Sequence, residues 1–194
     1  MMRFVAVLVL FCAYPLAEAE TEYPLNTVRA DLLAAAQASL QTHADNMSNH
    51  DEIVIVDYSL HSAKNRLFVA DLKTGTVRRF RVAHGRGSDK DHDGLLDHFS
   101  SISGSNASPE GAHVTAEQYV GKHGTSVRMD GLEPSNASAR SRAIVIHAAS
   151  YAEPSMINKY GKLGRSQGCL ALSKRDLDTI LDLVPTGTLV YISK

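Results

Sequence analysis

The chain has 194 residues, of which 44% are hydrophobic, enough for one ordinary globular domain with a real core. Twenty basic residues against 21 acidic ones leave a formal charge of −1, which argues against nucleic acid or an anionic membrane surface as the partner.

The chain opens as a targeting segment. Met1-Met2-Arg3 supplies a positive start, Phe4 to Ala13 is apolar, and Ala17-Glu18-Ala19 is a small-x-small cleavage site. A signal peptide over residues 1–19 is expected, with export to the periplasm or cell envelope and no stable membrane span after processing. The run from Phe4 to Ala17 is short for a permanent bilayer span. The two cysteines are Cys12, inside the leader, and Cys169, so cleavage leaves one thiol. An odd cysteine in an oxidising compartment is either a reactive thiol or an inert buried side chain.

Residues 20–50 read as an N-terminal helical extension. Val28, Leu32, Leu33, Ala36 and Leu40 recur at three-to-four spacing, predicting an amphipathic helix over Asn26 to Asp45 with Asn26 or Thr27 as N-cap. The main domain is expected over 51–194. Its period shortens in Ile53-Val54-Ile55-Val56-Asp57-Tyr58, Arg66 to Asp71 and Val77 to Val82, which read as strands. Lys73-Thr74-Gly75 joins the second and third as a hairpin turn. Gly85 to Gly131 is polar, holds only short apolar pieces such as Gln118-Tyr119-Val120, and reads as a long functional loop. Ala143-Ile144-Val145-Ile146 predicts a buried strand that delivers His147 at its end. A short helix over Asp176 to Leu183 and a strand over Thr188 to Ile192 close a mainly β chain with flanking helices.

Acyl transfer needs a nucleophile, a base and donors for the oxyanion. Cys169, His147 and the Gln167-Gly168-Cys169 backbone have the chemistry for all three, with Gly168 permitting close approach and Arg165 favouring a thiolate. Two other patterns compete. Asp89-Lys90-Asp91-His92-Asp93-Gly94 begins like a calcium loop, but Ser100 stands where a bidentate Glu would be required, so a solvated acidic turn is the expectation. His84, His92, His98, His113 and His123 raise a zinc hydrolase, yet no His-Glu-x-x-His occurs, and no metal is expected. Tyr119 and Tyr160 read as packing or cleft residues.

Ile144-Val145-Ile146-His147, followed by Gly164-Arg165-Ser166-Gln167-Gly168-Cys169-Leu170-Ala171-Leu172, resembles the L,D-transpeptidase catalytic domain family, the YkuD-like fold. Val82 to Ser88, Phe99-Ser100-Ser101, Tyr119 to Gly124 and Val127 to Leu132 resemble its small exported branch, so the likeness covers roughly Ile53 to Lys194. The resemblance implies a β-sandwich or barrel-type catalytic domain, Cys169 as nucleophile, His147 as general base, and Ser166, Gln167 and Gly168 as the motif turn. It implies a thioester acyl-enzyme on peptidoglycan stem peptides, usually at meso-diaminopimelate, with no cofactor and with sensitivity to carbapenem-type inhibitors. Gln167 replaces a family histidine and Ala171 a family arginine. Arg165 and Arg128 are therefore the candidates for the substrate carboxylate, with His84, His123 and Tyr119 shaping the cleft. An L,D-carboxypeptidase of the same fold and a non-catalytic peptidoglycan-binding protein are the alternatives.

Overall fold

The computed structural model describes residues 21–194. The expected leader, its cleavage site and Cys12 lie outside the described residues. Nine strands form one mixed sheet: β1 (Tyr23–Pro24), β2 (Glu52–Asp57), β3 (Leu67–Asp71), β4 (Thr76–Phe80), β5 (Gly111–Gly121), β6 (Gly124–Gly131), β7 (Val145–Ala148), β8 (Leu170–Leu172) and β9 (Leu189–Ser193). Their spatial order is β1-β4-β3-β2-β9-β5-β6-β7-β8. The β2–β9 and β7–β8 pairs are parallel, and the others are antiparallel. Helices α1 (Ala30–Thr42), α2 (Pro154–Tyr160) and α3 (Lys174–Leu183) flank the sheet.

Successive residues of a strand face opposite sides, so an unbroken apolar run requires cover on both. In β2, Val54 and Val56 enter one core with Leu67, Met129, Ile146 and Leu170. Ile53 and Ile55 enter a second with Phe68, Ala70 and the α1 face of Leu32 and Ala36. Beyond β4 the chain continues through Ala83 and Gly85, which bridge to Ala171 of β8 and to Ser166. The Ala83 N–H donates to the Ala171 carbonyl at 2.8 Å. The far edge of the sheet is thus folded back onto the continuation of β4, giving barrel-like closure and carrying His84 to Arg86 to the end of β8.

The β3–β4 hairpin forms as expected. The Asp71 carboxylate accepts from the Lys73 and Thr74 N–H groups at 2.8 and 2.9 Å, and Gly75 takes φ +69°. Four departures from the expected elements matter beyond small shifts at other ends. Helix α1 starts at Ala30 rather than near Asn26, because Leu25–Thr27 forms a short 3-10 turn, and Arg29 at the cap position makes no side-chain cap bond. Strand β7 starts at Val145, since Ala143 takes φ +53° and leaves the strand path, while Ile144 still enters the core. The second half of the expected Gly85 to Gly131 loop is the β5–β6 hairpin. Its register shifts between Thr115 and Gln118, and its outer part is solvated, so no apolar alternation marks it. Helix α2, only seven residues long, was not expected; Pro154 opens it and Gly161, at φ +74°, ends it.

Among the described residues, no helix is long and apolar enough to cross a membrane.

Candidate active site

Strands β7 and β8 run parallel with Ile146 opposite Leu170 and His147 opposite Ala171. Cys169, immediately before β8, therefore stands beside the strand that carries His147. Both side chains line one cavity of 440 Å³. The His147 Nδ1 lies 2.9 Å from the Ala148 carbonyl oxygen. A carbonyl can only accept, so Nδ1 carries the proton and Nε2 keeps a lone pair in the neutral ring. Burial holds His147 below the ordinary histidine range, opposed by the Ala148 bond and reinforced by His123 and Lys122. The His123 ring stacks on that of His147, with centroids 4.5 Å apart.

The Cys169 thiol donates to the Ala143 carbonyl at 3.5 Å, and among the described residues it has no direct hydrogen bond to His147. Burial pushes this thiol up, while the Val145 N–H, Arg142 and Lys122 favour its thiolate. Both shifts run in the direction that favours the neutral forms, thiol and imidazole.

The turn before the thiol is closed by one hydroxyl. Ser166 Oγ donates to the Cys169 carbonyl at 2.7 Å and accepts from the Gly168 N–H at 3.0 Å. The Gly168 N–H, one of the expected oxyanion donors, thus has a partner within the turn. Gly168 adopts φ +116°, and a Cβ there would meet the Ala107 carbonyl oxygen at 2.7 Å. A Cβ on Gly85 would meet the Gly168 Cα at 2.8 Å, so two loop backbones meet behind the thiol.

Arg165, Ser166, Gln167, His123 and Tyr119 share the cavity with Cys169 and His147. His84 and Arg128 do not. The His84 ring is buried, its Nδ1 accepting from Arg66 Nη2 at 2.8 Å and its Nε2 facing the Asp89 carboxylate at 2.9 Å. Burial first, then the Arg66 charge, lower its pKa to about 4. It serves the site through its backbone, whose carbonyl accepts from the Ser166 N–H at 2.8 Å. Arg128 pairs with Glu117 at 3.0 Å and lies over the Tyr119 ring at 4.3 Å, so it props a cavity residue from outside. Arg165 donates to the Asp89 carbonyl and sits 4.0 Å from its carboxylate. Tyr160 is exposed beside Lys159, outside the cavity.

Three cations of the cavity were not anticipated: Arg86, Lys122 and Arg142. Arg142 donates to the Ser100 and Ala107 carbonyls at 2.8 and 2.6 Å, tying the loop over the thiol to the base of β7. Its surroundings, Ser138-Ala139-Arg140-Ser141-Arg142, read as solvated surface, so nothing local marks it.

Asp89, Asp91 and Asp93 bring one carboxylate oxygen each within 4.8 Å of one another. Asp89 already accepts from the Asp93 and Gly94 N–H groups at 3.0 and 3.2 Å as well as facing His84.

The sequence profile of the L,D-transpeptidase catalytic domain family matches residues 25–193. The chain belongs to this family. No curated protein matches it. Among solved structures, an L,D-transpeptidase from Mycobacterium smegmatis superposes with a TM-score of 0.47 at 13% identity, over 74% of this chain and 59% of that one. L,D-transpeptidase 3 from Mycobacterium tuberculosis, in complex with a faropenem-derived adduct, gives 0.48 at 14%, over 74% and 60%. The helical cell shape determining protein from Campylobacter jejuni gives 0.47 at 16%, over 86% and 57%. The chain therefore spans less than two thirds of the length of these three proteins, while the family match takes in α1 as well as the sheet.

Proposed function

We propose that the protein is a cysteine-dependent L,D-transpeptidase that acts on peptidoglycan stem peptides in the periplasm or cell envelope, after removal of residues 1–19. The observation that carries this reading is that Cys169 shares one cavity with a histidine whose Nδ1 proton is held by Ala148, leaving its Nε2 lone pair available.

When a donor peptide enters, the Cys169 proton passes to His147 Nε2 and the sulfur attacks the carbonyl of the third stem residue. The oxyanion forms beside the Cys169 backbone, in the field of the Arg142 guanidinium that lines the same cavity. Its collapse breaks the amide, His147 returns the proton to the departing D-alanine amine, and a thioester remains. An acceptor amine then attacks, gives its proton to His147, and expels the thiolate, which takes the proton back. The two protons balance between Cys169 and His147 throughout. Proton transfer requires the thiol to leave Ala143 for His147, and catalytic bonds commonly tighten only with substrate bound.

Incubation with tetrapeptide muropeptides followed by mass spectrometry tests the reading. Cross-linked dimers are expected. Tripeptides alone would assign an L,D-carboxypeptidase, and unchanged substrate from a folded protein would overturn the proposal in favour of a binding role.

A further inference from the structure

The chain carries 20 basic and 21 acidic side chains, yet the cavity around Cys169 is lined by Arg86, Lys122, Arg142 and Arg165 and by no Asp or Glu. A lining of one sign is therefore a property of the site and not of the composition. Two acidic groups that contact or flank its lining residues are both committed elsewhere. Asp89 is buried behind Arg165 and faces His84, and Glu117 is held by Arg128 and Arg140 on the outside of the β5–β6 hairpin.

The four cations are not equivalent. Arg142 is fixed by two carbonyls, and Arg165 is partly compensated by Asp89. Arg86 and Lys122 are exposed, and among the described residues neither side chain has a hydrogen-bond or ion-pair partner. They stand on different elements, Arg86 on the closing segment after β4 and Lys122 at the tip of the β5–β6 hairpin. A cleft of one sign focuses its field inward and raises the local concentration of oppositely charged ligand. Unpaired cations facing it gain charge-assisted hydrogen bonds when carboxylates arrive.

We propose that this cleft recognises its acyl donor as a polyanion, through Arg86 and Lys122 in particular. It accordingly selects stem peptides whose carboxylates are free over those in which they are carboxamides. The inference rests on the acyl-transfer reading for the identity of the donor, and on the charge arrangement alone for the discrimination.

The test separates the two. Cys169→Ala protein, which cannot form the thioester, is titrated with a free-acid stem tetrapeptide and with the same peptide carrying carboxamides at its carboxylates. The amide form should bind at least about tenfold more weakly, as expected for losing a hydrogen bond to a charged group. Added salt should weaken the free acid and leave the amide form nearly unchanged. Introducing Lys122→Gln or Arg86→Gln, both at exposed positions, should shrink the ratio. Equal affinities, no binding of the free acid, or a ratio unmoved by both variants would overturn the inference. Turnover by the unmodified protein is measured in parallel. Its absence alongside intact charge discrimination would remove the acyl-transfer reading and leave anion recognition standing.

Discussion

At Cys169 and His147 the chemistry follows from where two protons sit. Cys169→Ala should abolish turnover and covalent carbapenem labelling while leaving the melting temperature nearly unchanged, since it removes a small half-buried side chain. His147→Ala should slow turnover by about 10²–10⁴-fold, the usual contribution of a general base. The pH profile adds a sign. His147 titrates below the ordinary histidine value, so the neutral base persists into mild acid, and activity should fall only as pH drops beneath about 6.5. In His147→Ala the residual rate should instead climb with pH as the raised thiol ionises unaided. An unshifted profile in that variant would count against His147 as the base. Gly168→Ala is a second residue-scale test, because it forces a Cβ into φ +116° and against the Ala107 carbonyl. A loss of about 1–3 kcal/mol from backbone strain alone is expected in a denaturant titration, with activity lost further. The motif residues were legible in the sequence because glycine, cysteine and a strand-end histidine are local signals. Arg86, Lys122 and Arg142 were not, because they converge from three separate elements and each stands in a polar stretch that reads as surface. His84 was misplaced for a related reason. Its buried partner Arg66 lies 18 residues away, across a hairpin, and nothing near His84 shows that the pair closes over itself.

Among the elements, legibility tracked how much of each strand is buried. Strands β2, β3 and β9 announce themselves because both of their faces are covered, whereas the outer half of β5–β6 is held by backbone pairing and carries solvated side chains. The closure of the sheet through Ala83 and Gly85 rests on isolated bridges between residues more than 80 positions apart, a separation that no local pattern encodes. Helix α1 was legible by its period, but its weight in the fold was not. It covers Ile53, Ile55, Phe68 and Ala70, the second apolar face of the central strands, and so belongs to the catalytic domain's core as much as to an extension. Leu32, 2% exposed, is the measure of this. Leu32→Ala should cost about 2–5 kcal/mol, seen as a melting temperature lower by roughly 2–4 °C per kcal/mol. Deletion of residues 20–50 should yield aggregated protein, with the outer face of β2 and β3 uncovered. A soluble, active protein lacking those residues would show that the helix is an appendage.

For the molecule as a whole, two buried histidines are expected to set the acid limit of stability. His113, on β5, is fully buried, with Nδ1 3.1 Å from the Gly111 carbonyl and, among the described residues, no hydrogen bond within geometric limits at Nε2, which the Val190 backbone approaches. Burial lowers its pKa to about 4, and His84 is lowered to about 4 as well. In the unfolded chain each returns to about 6.5. Between those values the unfolded state binds protons that the folded state refuses, so stability rises with pH. Full stability is present above about 6.5 and is progressively lost as pH falls towards about 4, below which both states are protonated. Asp176, which burial raises, acts in the opposite direction near the bottom of this window. Asp89 and Glu117, both lowered, lose their contributions only at still lower pH. Thermal melts should therefore be flat from pH 8 to 7 and fall through pH 6 and 5, by an amount on the order of 2–3 kcal/mol for each histidine. His113→Leu removes the buried Nε2 along with the titrating group. It should keep most of the stability at pH 8 and show a shallower acid limb than the parent. An acid limb of unchanged slope in a folded His113→Leu protein would assign the loss to other groups.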